Sequence, residues 1–209
     1  MIIVTDRAAD LAPDQINSLN VHFASLRITL NDRTYESGID LDSETFYKML
    51  AETDSYPTTS QPSAGEFAEL YRKLAETGEP ILSIHISSGL SGTYNAAVAG
   101  AQMVPEANVT VWDSKTLSCP LGWQVEIAAR VAKAGARMDE ILARLDVMRE
   151  KVEGLFTLDT LKYLIQQLTR LSCILRSGMA LRTTAYKRRL SINYSLSYAQ
   201  VMQILVMFF

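Results

Sequence analysis

The chain contains 209 residues, of which 48% are hydrophobic and 21% are charged, and its formal net charge is −3. This length and composition predict a globular chain of one domain, or one domain and part of another, and exclude a disordered one. The two cysteines, Cys119 and Cys173, fit neither a disulfide framework nor a CxxC metal pair, so a cytoplasmic protein is expected. We find no signal peptide and no apolar run near the roughly 18 residues needed to span a bilayer.

The first third of the chain is predicted to form strands, short helices and turns. The predicted elements are a strand Ile2–Thr5 ended by Asp6, a helix opened by Pro13, one strand run Val21–Leu30, a hairpin strand Arg33–Tyr35 and a helix capped by Asp42. Asn31 and Asp32 supply the turn chemistry of the hairpin. The segment Pro57–Ser63 is bracketed by prolines and rich in hydroxyl groups, so it is predicted as a loop.

Strands and helices alternate regularly from Ser63, which forms a capping box with Glu66 and so begins a helix. The later predicted elements are strands Ile81–Ile86, Val109–Trp112 and Leu155–Leu158 and helices beginning at Gly92 or Thr93, at Leu117, at Asp139 and at Leu161. This alternation predicts a doubly wound α/β domain over about residues 1–155, with a mostly parallel sheet covered on both faces.

The end of the chain differs in composition from the rest. Residues 166–209 contain six basic residues and no Asp or Glu, and the last segment, Gln200–Phe209, is strongly apolar. A composition of this kind without a sustained hydrophobic period is typical of a shifted reading frame, and a basic helical tail is the alternative. Residues 156–209 are therefore predicted to be the start of a second α/β domain, followed by an atypical basic tail with an apolar end.

The segment Ile81–Tyr94 is the first candidate for a site, because an apolar strand gives way there to a hydroxyl-rich loop and then to a helix. In an open α/β sheet, ligands lie beyond the carboxyl end of a strand, where the next helix offers unpaired N–H groups to an anion. Two loops carry the candidate donors, which are Thr58, Thr59, Ser60, Ser87, Ser88, Ser91 and Thr93. These groups suit a carboxylate or a phosphate. The alternative is that they only cap helices and satisfy turns.

Other chemistries find little support in the sequence. Ser91 does not stand in a G-x-S-x-G elbow, and both histidines, His22 and His85, precede it, so the residue order of α/β-hydrolases is excluded. Neither a Walker A loop nor a G-x-G-x-x-G fingerprint occurs, and the two histidines and two cysteines are too widely separated to indicate a metal site. No nucleic-acid partner is expected. His85, inside an apolar strand, is predicted to be a core histidine.

The motifs resemble those of the DegV family of bacterial fatty-acid-binding proteins. The segments that carry the resemblance, in order over residues 1–165, are Ile3–Asp6, Ala8–Leu11, Pro57–Ser63, Ser87–Tyr94, Asp113–Ser114 and Leu158–Leu164. The resemblance implies a two-domain α/β protein that buries one long-chain acyl group in an apolar tunnel. It also implies that Thr59 and Ser91 hold the carboxylate, and we add Ser60, Ser88, Gly92 and Thr93 as neighbours in the same motifs.

The resemblance further implies a protein that carries a lipid and catalyses nothing. Members that work with a fatty-acid kinase present the bound acid to that separate subunit for phosphorylation, so no cofactor is expected besides the fatty acid itself. Transient contact with a membrane surface is left open. The alternative hypothesis is an enzyme that uses Ser91 on an acyl or phosphoryl substrate.

Two positions depart from the family pattern. The family usually has T-D-S at the end of the first strand, and Arg7 replaces the serine here. After Ile165 the family continues with G-G-R-I and a long second domain, whereas this chain continues with Gln166–Arg170. We therefore expect a fragment of the second domain and carry over no arginine from that motif.

Overall fold

The computed structural model describes residues 1–53, 55–152 and 154. The strands are β1 (Ile2–Asp6), β2 (Val21–Ala24), β3 (Arg27–Leu30), β4 (Arg33–Glu36), β5 (Thr58–Ser60), β6 (Ile81–His85) and β7 (Val109–Asp113). The α-helices are α1 (Pro13–Leu19), α2 (Ser43–Ala51), α3 (Ala64–Ala75), α4 (Thr93–Gln102), α5 (Ser118–Lys133) and α6 (Met138–Lys151), and a short 3₁₀ helix spans Arg7–Ala9. Strands and helices thus alternate along most of this part of the chain.

The larger sheet is parallel throughout and has the strand order β2-β1-β6-β7. Its central strand β1 is buried along its whole length, and Ile3 lies opposite Val21 on one side and Leu82 on the other. The chain passes from β1 outward to β2 and later returns to β6 on the opposite side of β1. The strand order therefore reverses between β1 and β6, and their carboxyl ends flank the crevice where open α/β sheets bind ligands.

Helices cover both faces of this sheet. Ile3 of β1 belongs to a core cluster shared with α5 and α6, whereas its neighbours Ile2 and Val4 belong to a cluster shared with α3 and α4. Successive residues of a strand point to opposite faces, so β1 supplies apolar side chains to two separate cores. This arrangement confirms the predicted doubly wound α/β fold.

A smaller antiparallel sheet, with the order β4-β3-β5, packs with α2 around a third apolar cluster. The prediction of a single strand over Val21–Leu30 was wrong, because the run breaks at Ser25 and Leu26 into β2 and β3, which belong to different sheets. The carbonyl of Leu26 accepts a hydrogen bond from Ser37, and its side chain packs against two of the clusters. Leu26 therefore connects the two sheets, and Ser25 marks the break without any Gly, Pro, Asn or Asp beside it.

The segment Pro57–Ser63 was also predicted wrongly in part, because it contains the short strand β5. Thr59 pairs with Ile28 of β3. The two prolines stand outside the three paired residues, so neither removes an N–H from the ladder.

The predicted helix starts are confirmed where capping residues signalled them. The N–H of Thr45 donates to Asp42 over 2.9 Å, and the N–H groups of Ser63 and Glu66 donate to each other's side chains over 2.8 and 3.2 Å. The predicted strand Leu155–Leu158, the helix at Leu161 and the terminal tail lie outside the described residues. In the part of the chain that the structure describes, no helix is long and apolar enough to cross a membrane.

Candidate ligand-binding crevice

Asp6 lies at the bottom of the crevice, at the carboxyl end of β1. Its carboxylate accepts hydrogen bonds from the N–H groups of Ala8 and Ile86, over 2.9 and 3.0 Å, and from Nδ1 of His85 over 2.9 Å. The side chain of Asp6 is buried. One carboxylate therefore fixes the chain as it leaves β1 and also as it leaves β6, where the candidate loop begins.

The hydrogen bonds continue from Asp6 into the core through His85. Nε2 of His85 lies 2.7 Å from Oγ of Ser83, and the hydroxyl of Tyr71 donates to the same Oγ over 2.8 Å. Burial raises the pKa of Tyr71, so its hydroxyl stays protonated and continues to donate. The Ser83–His85–Asp6 arrangement resembles a hydrolytic triad, but Ser83 and His85 are both fully buried. It therefore positions the strands and offers no nucleophile to a substrate, and the prediction that His85 is a core residue is confirmed.

The loop that follows β6 is held by its own backbone and by β7. The N–H of Ser87 donates to the carbonyl of Thr116 over 2.9 Å, and the N–H of Ser91 donates to the carbonyl of Ser87 over 3.1 Å. The N–H of Ser88 donates to a carboxylate oxygen of Asp113 over 3.1 Å. The hydroxyl of Ser87 adds a further bond, because its Oγ accepts from the N–H of Gly89 over 3.2 Å.

Ser91 and Thr93 lie together at the N-terminus of α4. Their hydroxyl oxygens are 2.9 Å apart, and the N–H of Thr93 donates to Oγ of Ser91 over 3.3 Å. Thr93 is buried and Ser91 is half-buried. Gly92 occupies the N-cap position and has no side chain to close the helix, so Ser91 supplies the acceptor. Ser91 thus has a helix-capping role, as the alternative interpretation expected, and it faces the positive end of a ten-residue helix.

The two hydroxyl-rich segments meet through Gln61 and Gly92. A Cβ atom on Gly92 would lie 2.5 Å from both Nε2 and Oε1 of Gln61. The end of the Gln61 side chain therefore lies directly against Gly92, and this contact sets the end of the Thr58–Ser60 strand against the start of α4. Thr59 is half-buried, whereas Thr58 and Ser60 are exposed. Gln61 lies within the Pro57–Ser63 motif, but no local pattern singles it out, because its partner stands thirty-one residues away.

A lysine places positive charge beside Ser88. Nζ of Lys115 donates to Oγ of Ser88 over 3.2 Å and to Oδ2 of Asp113 over 2.6 Å. Burial by itself would raise the pKa of Asp113, but the hydrogen bonds from Lys115 and Ser88 hold that pKa below its usual value. The ion pair therefore persists at neutral pH. Lys115 was not predicted as a site residue, although it directly follows the Asp113–Ser114 motif.

Among the described residues, no group of three or more His, Cys, Asp or Glu side chains is arranged to hold a metal ion. The side-chain donors that line the crevice are the hydroxyl groups of the two segments and Lys115. Such a set binds an anion through hydrogen bonds.

A family model described as "Uncharacterised protein, DegV family" matches residues 1–172. The chain belongs to the DegV family. It is 41% identical over 165 residues to a DegV domain-containing protein of Staphylococcus aureus (strain N315), an alignment that covers 79% of this chain and 58% of the relative. The chain therefore spans somewhat more than half the length of that curated relative.

Solved DegV structures share the fold. A fatty-acid-binding DegV family protein from Thermus thermophilus has a TM-score of 0.72 and 31% identity, over 87% of this chain and 64% of that one. DegV from Bacillus subtilis, described as a fatty-acid-binding protein, has a TM-score of 0.74 and 30% identity, over 86% of this chain and 64% of that one. The α/β architecture is therefore that of the DegV proteins.

Proposed function

We propose that this chain binds a long-chain fatty acid and holds the carboxylate in this crevice, where the segment after β5 meets the N-terminus of α4. The observation that carries the proposal is the contact of Gln61 with Gly92, which brings the two hydroxyl-rich segments together at a helix N-terminus. The fatty-acid-binding descriptions of the Thermus thermophilus and Bacillus subtilis DegV proteins give the ligand class.

The chemistry of the crevice suits a carboxylate. Thr59 and Ser91 donate their hydroxyl protons to its two oxygens, and the positive end of α4 adds favourable electrostatics. Lys115 also donates to Oγ of Ser88, and its charge is shared with Asp113 in an ion pair. The remaining predicted site residues, Ser60, Ser88, Gly92 and Thr93, shape the crevice around these donors. A hydrogen bond to a charged group contributes about 1.5–3 kcal/mol, so each of the two hydroxyls accounts for about a ten- to hundred-fold change in affinity.

The proposed role is carriage in the cytoplasm, with the bound acid presented to a separate fatty-acid kinase and with no cofactor in this chain. The surroundings of Ser91 support a non-catalytic role. Its hydroxyl lies against another hydroxyl, that of Thr93, rather than against a base. The imidazole of His85 is engaged by Ser83 and Asp6 within the core. A serine enzyme needs a base within hydrogen-bond reach of its nucleophile, and the observations favour no such enzyme.

Titration calorimetry with oleate tests the proposed head-group site. We expect Thr59→Ala and Ser91→Ala each to weaken binding about ten- to hundred-fold, and the double variant to bind least. Thr58→Ala is the matched control, because Thr58 precedes Thr59 on the same strand, is exposed and pairs with Thr29. Equal affinity for oleate in the double variant and in Thr58→Ala would place the head group elsewhere.

Native mass spectrometry separates carriage from catalysis. A fatty acid that copurifies from bacteria and is lost in the double variant supports the carrier. Turnover of an activated ester that Ser91→Ala abolishes would instead support the enzyme and overturn the proposed role.

A further inference from the structure

Arg7 is a cation at the edge of the crevice that the proposed function does not use. It directly follows Asp6 at the carboxyl end of β1, but its side chain lies on the β2 side of that strand, with Cζ 4.3 Å from the centre of the Phe23 ring. The loop that carries Ser91 follows β6, on the other side of β1. Arg7 and the Ser91 loop therefore flank the crevice from opposite sides.

The guanidinium of Arg7 is held by packing at two places. Phe23 lies beneath it, and Gly38 approaches so closely that an added Cβ atom would stand 2.5 Å from Cζ. Gly38 also has a φ of +74°, which L side chains rarely adopt, so its backbone conformation favours glycine. These contacts fix the position of the charge and restrict new partners to the edge of the guanidinium.

The donors of Arg7 are poorly used by the protein. Its Nη2 reaches the carbonyl of Gly38 only at 3.4 Å, and its Nε is buried with no hydrogen-bond partner. Its Nη1 donates to none of the described residues and is not fully buried, so it keeps contact with solvent. A guanidinium carries five N–H donors, and the two on Nη1 are the ones that remain open to a new partner.

The charge of Arg7 is also poorly balanced. None of the ion pairs in the described part of the chain includes this residue, and Glu36 acts on it only at longer range. Burial lowers the pKa of Arg7, and Glu36 partly opposes that effect. A half-buried cation without a contacting carboxylate is a costly arrangement, and it becomes favourable when an anion supplies the missing charge.

We propose that Arg7 forms a second oxyanion-binding position, on the β2 side of the crevice, which takes a carboxylate or phosphate group on the free edge of the guanidinium. The position is separate from the Thr59 and Ser91 site and does not depend on fatty-acid binding. The Nη1 donors face the anion, while the stacked Phe23 ring and Gly38 hold the guanidinium in place.

The side-chain Nε–Hε signal of Arg7 in a ¹H–¹⁵N spectrum reports directly on this position. The probes are sodium phosphate and sodium acetate, each titrated against sodium chloride at constant ionic strength. We expect the signal, assigned by its loss in Arg7→Gln, to move saturably with phosphate or acetate and not with chloride. We also expect phosphate to raise the melting temperature of the unmodified protein but not that of Arg7→Gln.

Arg33→Gln is the matched control, because Arg33 also stacks on an aromatic ring, that of Tyr35 at 4.9 Å, but is exposed. This variant should keep the full phosphate response. If Arg7→Gln does not fold, Arg7→Ser restores the residue type of the T-D-S pattern and serves in its place. An unmoved Arg7 signal, or the same phosphate stabilisation in the Arg7 variant, would overturn the proposal.

The double variant Thr59→Ala/Ser91→Ala distinguishes the two positions. A phosphate response of Arg7 that persists in this variant supports a separate position. A response that disappears with the two hydroxyls would mean that Arg7 only shares the head-group anion, and the inferred second position would be wrong.

Discussion

Asp10 offers the sharpest test of the electrostatics of this fold. It ends the 3₁₀ helix after β1 with a φ of 47°, and Oγ of Ser118, at the start of α5, donates to its carboxylate over 2.6 Å. Burial raises the pKa of Asp10 from 3.8 to about 6, the hydrogen bond from Ser118 opposes that shift, and Asp6 adds to it. The folded protein therefore binds this proton more tightly than the unfolded chain does.

The sign of the stability effect follows from that difference. Because the folded pKa lies above the unfolded one, the protonated carboxyl group favours folding below about pH 4, and this contribution is lost as the pH rises through 6. A shift of about two units corresponds to about 3 kcal/mol, which is an upper value because the side chain keeps some contact with water.

Asp10→Asn removes the titration and keeps the geometry, since asparagine tolerates a positive φ and its side-chain oxygen can still accept from Ser118. We expect urea unfolding to show the variant more stable than the unmodified protein by about 2–3 kcal/mol at pH 7.5, with the difference fading towards pH 4. Asp32→Asn is the control, because Asp32 also has a positive φ, 60°, but is exposed. A difference between Asp10→Asn and the unmodified protein that does not change with pH would refute the reasoning.

Three further substitutions test the packing of the crevice and its support. Gly92→Ala should displace the side chain of Gln61 and weaken oleate binding about ten-fold by calorimetry, with little change in melting temperature. Gly122→Ala should destabilise the fold by about 1–3 kcal/mol in urea unfolding, because the new Cβ would lie 2.4 Å from the carbonyl oxygen of Ala9, a backbone atom that cannot turn aside. Ser83→Ala should cost about 1–3 kcal/mol in the same assay, since it leaves buried polar groups without partners.

Matched variants control for these effects. Gly65→Ala places its Cβ no nearer than 3.9 Å to the hydroxyl of Ser63, so it should not destabilise α3. Adding Tyr71→Phe to Ser83→Ala removes one of the unpaired groups and should recover part of the lost stability. If Gly122→Ala is as stable as Gly65→Ala, the close contact described between Gly122 and Ala9 is wrong. If adding Tyr71→Phe lowers the stability of Ser83→Ala further instead of raising it, the hydrogen bonds described for Ser83 are wrong.

The sequence predicted those parts of the fold that depend on local patterns. The Ser63–Glu66 box and the capping side chain of Asp42 act within one helical turn, so their sequence signals suffice. The break at Leu26 carries no such signal, because tertiary contacts with two clusters decide it. The strand at Thr58–Ser60 was missed because pairing with β3, which lies far back in the chain, outweighs the flanking prolines.

The same difference between local sequence signals and long-range contacts applies to the candidate site. Ser91 and Thr93 were found because a strand, a hydroxyl-rich loop and a helix follow one another in the chain. Gln61 and Lys115 were not singled out, because their importance comes from contacts with Gly92 and Ser88 across the fold. The roles of Thr59 and Ser91 in holding a carboxylate stay predictions until affinities are measured.

The buried chain from Asp6 to Tyr71 has a consequence for the thermodynamics of ligand capture. It ties α3, which follows the Thr59 segment, to β6, which precedes the Ser91 loop, through Tyr71 and Ser83. A buried hydrogen bond therefore joins the two elements that carry the halves of the crevice, so their relative position does not depend on a ligand. A preorganised site of this kind loses little conformational entropy on association, so more of each hydrogen bond appears as affinity.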